Sequence, residues 1–205
     1  LAEKVEDSRD SKVLKNFGFD DIDISTFYAY RNIFKSHKPD DARNALNDIE
    51  FLKNIGAYKT DRESGITGLT VAGLLMFGKS ISIEDALPNY NLDYQERPRA
   101  VTEQRWIDRV TLDGKWSGNL FDFYTKVIKK LTADLKVPFK LEGDKRQDRT
   151  PIHDALREAF VNAIVHGDYN THGTLKVIRY KDHYEFSNAG NLKISKEDIF
   201  SGGNS

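Results

Sequence analysis

The sequence contains no cysteine, which removes disulfides, thiol nucleophiles and cysteine-ligated zinc or iron–sulfur centres from consideration. It has one methionine and five prolines. No apolar run approaches the roughly 20 residues that a membrane-spanning helix requires. Charge of one sign is also missing: 31 Lys and Arg face 32 Asp and Glu, for a formal net charge of -1. A wholly basic nucleic-acid binder is therefore excluded, although a local basic groove is not. The first ten residues are charged and lack the apolar core of a signal peptide. A cytoplasmic protein without a membrane partner is expected.

What is present suits a folded chain. Of 205 residues, 39% are hydrophobic and 31% charged, enough for one large domain or two small ones. The chain opens on Leu1 and closes on Ser201-Gly-Gly-Asn-Ser205, so a piece of a longer protein is expected.

Residues 1–22 are polar and acid-rich, and read as a linker or an arm. Ile24, Phe27, Tyr28 and Phe34 then follow helical spacing, with Ser25 or Thr26 as the cap and Pro39 as the stop. A second helix is expected from Asp40 or Asp41, burying Ala42, Ala45, Leu46, Ile49 and Leu52 and stopping at Gly56. A short strand at Tyr58, a Gly65 turn and an apolar segment from Leu69 to Phe77 follow. That order outlines a winged-helix unit over residues 24–80, with Arg43, Lys53 and Lys59 as its DNA contacts, and equally many small bundles.

Residues 92–116 read as irregular strands, and Asn119 to Leu135 as a strongly amphipathic helix. Val137 to Leu141 suggests a strand, and Gly143 to Arg149, with no apolar residue, a linker or loop. A helix from about Thr150 to His166 precedes strands Leu175–Tyr180 and His183–Ser187, joined by Lys181-Asp182. The domain division expected is 23–142 for a helical and mixed region and 150–205 for a second unit.

Three sets of residues could carry chemistry. Gly73-Leu-Leu-Met-Phe-Gly78-Lys79-Ser80 fits the letters of a phosphate loop. Its four central residues want burial, so a core helix ending at Gly78 accounts for it better. Arg97, Arg99, Arg105, Arg109 and Lys115 alternate with Tyr94, Trp106 and Trp116, a composition that can hold single-stranded nucleic acid. Glu96, Glu103, Asp108 and Asp113 nearly cancel that charge, which favours a salt-paired surface.

The third set is a stripe. Asp154, Glu158, Asn162 and His166 recur every four residues on one helix face, surrounded by Leu156, Ala159, Phe160, Val161, Ala163, Ile164 and Val165. A helix apolar nearly all round is expected to be buried, so the stripe faces a cavity, a ligand or a hydrogen-bond network, or else forms a solvent-facing edge. His166, Asp168 and His172 have no familiar metal-ligand spacing.

Arg157-Glu158-Ala159-Phe160-Val161-Asn162-Ala163-Ile164-Val165-His166-Gly167-Asp168-Tyr169 closely resembles the REALVNAIVHRDY signature of the RecG-related transcriptional regulators. These carry a Schlafen/AlbA-type DNA-binding domain followed by a divergent ATPase domain of the gyrase, heat-shock chaperone and histidine-kinase superfamily. Leu69 to Lys79 is similar to the family's LTLAGLLLFGK segment, Asp23-Ile-Ser-Thr-Phe27 to its preceding helix start, and Asn188-Ala-Gly190-Asn-Leu192 to its NPGxL turn.

The resemblance implies an α+β fold, with the start of a Bergerat-type α/β sandwich from residue 150, truncated at 205. It implies magnesium–ATP as ligand. Glu158 would activate the attacking water and Asn162 would hold magnesium on the phosphates. Asn188 and Gly190 would stand where active members read the adenine amino group with Asp-x-Gly, and Asp154, His166 and Asp168 would support them. DNA would be bound through a domain preceding Leu1, and a homodimer is implied. Three positions depart from the pattern: Asn188 for aspartate, Gly167 for arginine and Ala189 for proline. They leave two readings, a nucleotide-sensing domain with weak ATPase activity only in a longer chain, and a degenerate interaction module.

Overall fold

The computed structural model describes residues 9–98, 105–135, 141–142, 145–146 and 150–190. Asp23, rather than Ser25 or Thr26, starts the first helix: its carboxylate accepts the Thr26 N–H at 3.0 Å and the Ser25 hydroxyl at 2.6 Å. These hydrogen bonds hold the Asp23 carboxyl below its ordinary pKa despite partial burial, which opposes them. Helix α1 (Ile24–His37) buries Thr26 and Phe27.

The second expected helix is two elements, a 3₁₀ turn (Ala42–Ala45) and α2 (Asp48–Asn54). The reason is local competition for backbone donors. Asp41 accepts the Arg43 N–H and Asn47 accepts the Glu50 N–H, so each side chain starts its own turn. Ala42 and Ala45 are consequently exposed, and Phe51 and Leu52 carry the burial.

Strands β1 (Tyr58–Thr60) and β2 (Thr67–Leu69) form an antiparallel hairpin. Helix α3 (Val71–Phe77), capped by Thr70, and α4 (Ser80–Ala86) follow. The phosphate-loop letters have a packing explanation here. Leu74, Leu75 and Phe77 are buried. A Cβ on Gly73 would lie 2.1 Å from the Ala57 carbonyl oxygen, so α3 can cross that backbone only with glycine. Lys79 donates through Nζ to the Asp20 carbonyl.

Residues 12–22, expected as part of a linker or an arm, form with Asp23 a strap laid over this unit. Leu14 N–H donates to the Leu69 carbonyl, Val71 N–H to Lys12, Lys79 N–H to Asp21, and Asp23 N–H to Phe77.

The second layer holds β3 (Leu92–Glu96), β4 (Asp108–Thr111), α5 (Leu120–Thr132), a two-residue hairpin of β5 (Leu141–Glu142) and β6 (Lys145–Arg146), α6 (Pro151–Val165), β7 (Leu175–Arg179) and β8 (Tyr184–Ser187). The expected strand over 137–140 lies outside the described residues. The expected loop at 143–149 contains β6, and its remaining residues lie outside them too. The main sheet has the order β4-β3-β7-β8, with β3 and β7 parallel and the outer pairs antiparallel. Leu92, Tyr94, Leu175 and Val177 come to one face and join Phe123, Val127, Leu131 and Phe160 in the core. The division expected between 142 and 150 is thus crossed by the sheet, since β3 lies before it and β7 after it. The fold is α+β.

Helix α6 departs from its expected full burial. Only Leu156, Phe160 and Ala163 are buried, while Ile152, Val161 and Val165 are 57%, 38% and 62% exposed. Among the described residues the sheet and α5 cover one side of the helix and leave the other open.

One buried amide ties the layers together. Asn119 is fully buried and caps α5 by accepting the Asp122 N–H at 3.0 Å. Its Nδ2 donates to Thr26 Oγ1 and to the Gly78 carbonyl, both at 3.2 Å. Asn119→Ala removes the cap and strands the buried Gly78 carbonyl, while the Thr26 hydroxyl keeps its bond to Asp122, a loss of about 2–4 kcal/mol. Urea unfolding of the variant checks this, and a loss below about 0.5 kcal/mol would remove Asn119 from the role of joint.

Candidate functional site

Pro151 occupies the first position of α6, where its missing N–H costs nothing. The His153 ring nitrogen lies 2.8 Å from the Thr150 hydroxyl and 3.3 Å from its N–H, closing the start of the helix. Asp154, Glu158, Asn162 and His166 all lie on the exposed side. At 1.5 Å of rise per residue, Glu158 stands about 6 Å along the axis from Asn162.

The far end of α6 is held by residues distant in sequence. A helix leaves its last carbonyls without intrahelical partners. Here the Asn162 carbonyl takes the His166 N–H at 3.0 Å. The Ala163 carbonyl takes the Asn188 side-chain amide at 3.0 Å, and the Ile164 carbonyl takes the Tyr169 hydroxyl at 2.7 Å. Asp168 N–H donates to the Ala189 carbonyl at 2.8 Å, which fixes the turn against the end of the helix. Gly190, at φ 138, continues that turn in a conformation that favours glycine. The structure therefore brings Asn162, His166, Asp168, Asn188 and Gly190 to one end of α6, with Glu158 a turn further along and Asp154 beyond it.

Asp168 is occupied by structural contacts. It accepts the Asn170 N–H at 3.0 Å and pairs with exposed Arg9 at 3.2 Å. His172 is exposed, and among the described residues no group of three metal-ligating side chains gathers. Tyr169 was not singled out from the sequence as a site residue. Its ring meets that of Tyr90 at 5.7 Å, and burial pushes both phenols above their ordinary pKa. The crevice at the turn, lined by Asn89, Asn91, Asp168, Gly173, Asn188 and Ala189 among others, has a cavity volume of only about 10 Å³. That is below the ~300–1,000 Å³ of small-molecule pockets.

The basic and aromatic set does not form one surface. Tyr94 is in the core, where burial pushes its phenol up to about 12. Arg109 Nε donates to Asp93, and Arg97 donates to the Arg105 carbonyl. The guanidiniums of Arg105 and Arg109 lie over Trp106 at 5.6 and 4.7 Å. Trp116 stacks on Phe123 elsewhere and donates to the Thr111 carbonyl. With Lys79, Lys115 and Lys126 it lines an open groove that also contains Asp23 and Asp122. Arg99 lies outside the described residues. In residues 24–80, Arg43 is held by Asp41 and Lys53 by Glu50. The paired guanidinium holds the Asp41 carboxyl well below the usual carboxylate range.

Residues 1–93 match a domain of unknown function, DUF8451. No curated protein matches the chain. The crystal structure of the DIP2311 protein from Corynebacterium diphtheriae is similar in fold over 95% of this chain, with a TM-score of 0.62 and 21% identity. This chain spans 36% of that protein's length.

The turn beside α6 depends on one close approach. A Cβ on Gly173 would lie 2.2 Å from the Ala189 Cβ. Gly173→Ala therefore forces the Asn188–Gly190 turn outward, at a cost of about 1–3 kcal/mol. Thermal melting should show a drop of roughly 2–4 °C per kcal/mol, and Ala189→Gly in the same chain should recover most of it. Absence of recovery would show that this contact does not hold the turn.

Proposed function

We propose that the chain is part of a DNA-associated transcriptional regulator in which the exposed face of α6 and the Asn188–Gly190 turn bind magnesium–ATP. The observation that carries this reading is the Asn188 amide on the Ala163 carbonyl. It joins two pieces of sequence that the family resemblance assigns to one nucleotide site.

The residues fit the ligand chemically. Asn162 offers a neutral amide oxygen and Glu158 a carboxylate, the hard oxygen donors that suit hydrated magnesium and a water beside it. Bound magnesium would supply charge neutralisation at the phosphates. In the role proposed for it, Glu158 takes a proton from the attacking water.

Asn188 bears on base recognition. A backbone carbonyl can only accept, so the side-chain NH2 faces Ala163 and the amide oxygen is left over. That oxygen can accept from an exocyclic amine, as adenine presents, through a neutral hydrogen bond weaker than a carboxylate would make. The exchange of aspartate for asparagine weakens the acceptor without removing it.

A second reading has its own support. Val161 and Val165 are exposed beside the polar stripe, a composition that suits a protein partner or a second copy laid over α6. DNA binding and dimerisation belong to the proposal through the family resemblance alone.

Calorimetric titration of magnesium–ATP into the protein and its Asn162→Ala variant tests the site. Binding should weaken at least tenfold in the variant. Glu158→Ala should keep most of the affinity and lose any turnover. A folded wild-type protein that binds no nucleotide would overturn the nucleotide reading and leave the interaction surface in its place.

A further inference from the structure

Arg157 is a half-buried arginine that the described residues leave without an acceptor. It stands on α6 between buried Leu156 and exposed Glu158. Its Nε is closed off from solvent and has no hydrogen-bond partner. Neither Asp154, one turn before it, nor Glu158, next to it, forms an ion pair with it. Other half-buried arginines differ. Arg31 donates to Asp48 and the Leu46 carbonyl, and Arg43 donates twice to Asp41. Arg97 also has a buried Nε without a partner, but its Nη1 donates to the Arg105 carbonyl. Arg179 reaches Asp134 and the Lys130 carbonyl.

A guanidinium cannot relieve burial by losing its proton, as a lysine or histidine can. An unpaired, partly desolvated arginine therefore calls for an anion. On a helical wheel Arg157 lies between the buried Phe160 row and the exposed Val161 row, about 100° around from Glu158. It marks the rim of the open face that also carries Glu158 and Asn162.

The charges on that face narrow the choice of anion. Asp154 and Glu158 would repel a bare carboxylate arriving beside them. A polyphosphate that carries its own divalent cation offsets the two acids with the metal, and offers Arg157 the paired oxygens that its planar fork matches. We propose that Arg157 binds a phosphate group of a magnesium–polyphosphate ligand at the edge of the α6 face. This rests on the nucleotide reading above and adds a second contact point to it, on the flank of the helix.

The test compares wild type with Arg157→Met, which keeps the apolar stem and removes the charge, using magnesium tripolyphosphate, magnesium–ATP and adenosine as probes. Affinity for tripolyphosphate and ATP should fall tenfold or more in the variant, while adenosine binding stays unchanged. Without ligand the variant should melt at or above the wild-type temperature, because an unpaired charge has been removed from a partly desolvated position. A lower melting temperature with unchanged ATP affinity would show that Arg157 has a partner within the chain, and would overturn the proposal. If ATP binds through Asn162 and Arg157→Met changes nothing, this proposal falls and the nucleotide site stands. If wild type binds neither ATP nor tripolyphosphate, both fall together.

Discussion

The Asn119 amide is the joint on which the two layers depend. It caps α5 and spends its two donors on α1 and on the carbonyl that ends α3. Asp122 extends the joint by accepting the Thr26 and Ser117 hydroxyls. A buried network of this kind contributes little net stability when complete and costs much when one member is lost. Its structural value lies in direction. Apolar contacts among Phe27, Phe77, Phe121 and Phe123 would tolerate some sliding of one layer over the other, whereas the amide accepts one arrangement.

From that joint the order of the second layer follows. Fixing the start of α5 places Phe123, Val127 and Leu131 over the sheet. The parallel pairing of β3 with β7 then requires a long crossover, and the chain from β4 through α5 and α6 provides it. Strands β3 and β4 consequently belong to the same sheet as β7 and β8. The strap of residues 12–23 closes the other side of the molecule by backbone hydrogen bonds to the ends of β2 and α3.

Much of this was legible in the sequence because the signals were local. The amphipathic spacing from Leu120 to Leu131, the Lys181-Asp182 turn and the fully apolar Leu74-Leu75-Met76-Phe77 run each specify an element without outside help. The break between Ala45 and Asp48 was not read, because it arises from two Asx caps competing with an otherwise continuous apolar pattern. The strap was missed for a different reason: its partners are backbone groups, which leave no mark on side-chain periodicity. Glu158 and Asn162 stand out as a stripe, but the sequence leaves open whether the stripe is covered or forms a solvent-facing edge. An apolar circumference says that a helix prefers to be covered, and it cannot say whether the cover lies among the residues at hand. Tyr169 closes the family signature and Gly173 marks a turn, but neither carries a signal for the contact it makes, which lies with Ile164 and Ala189.

The open side of α6 raises the question of how a helix with Ile152, Val161 and Val165 exposed remains fixed in place. The answer lies at its ends. Pro151 and the Thr150–His153 contact close the first turn, and the last three carbonyls with a partner are taken by a backbone N–H, the Asn188 amide and the Tyr169 hydroxyl. Phe160 anchors the middle between Phe123, Tyr124 and Phe186, with ring centroids 5.4–6.1 Å apart. A helix held at both ends and along one side needs nothing from its fourth side for stability. That side is thereby free to carry a carboxylate, an amide and an arginine that have no ion-pair partner among the described residues, a combination that a purely structural surface would have reason to pair or to lose. The Asn188 contact serves both purposes, since the hydrogen bond that caps the helix also orients the amide oxygen that the proposed site would use.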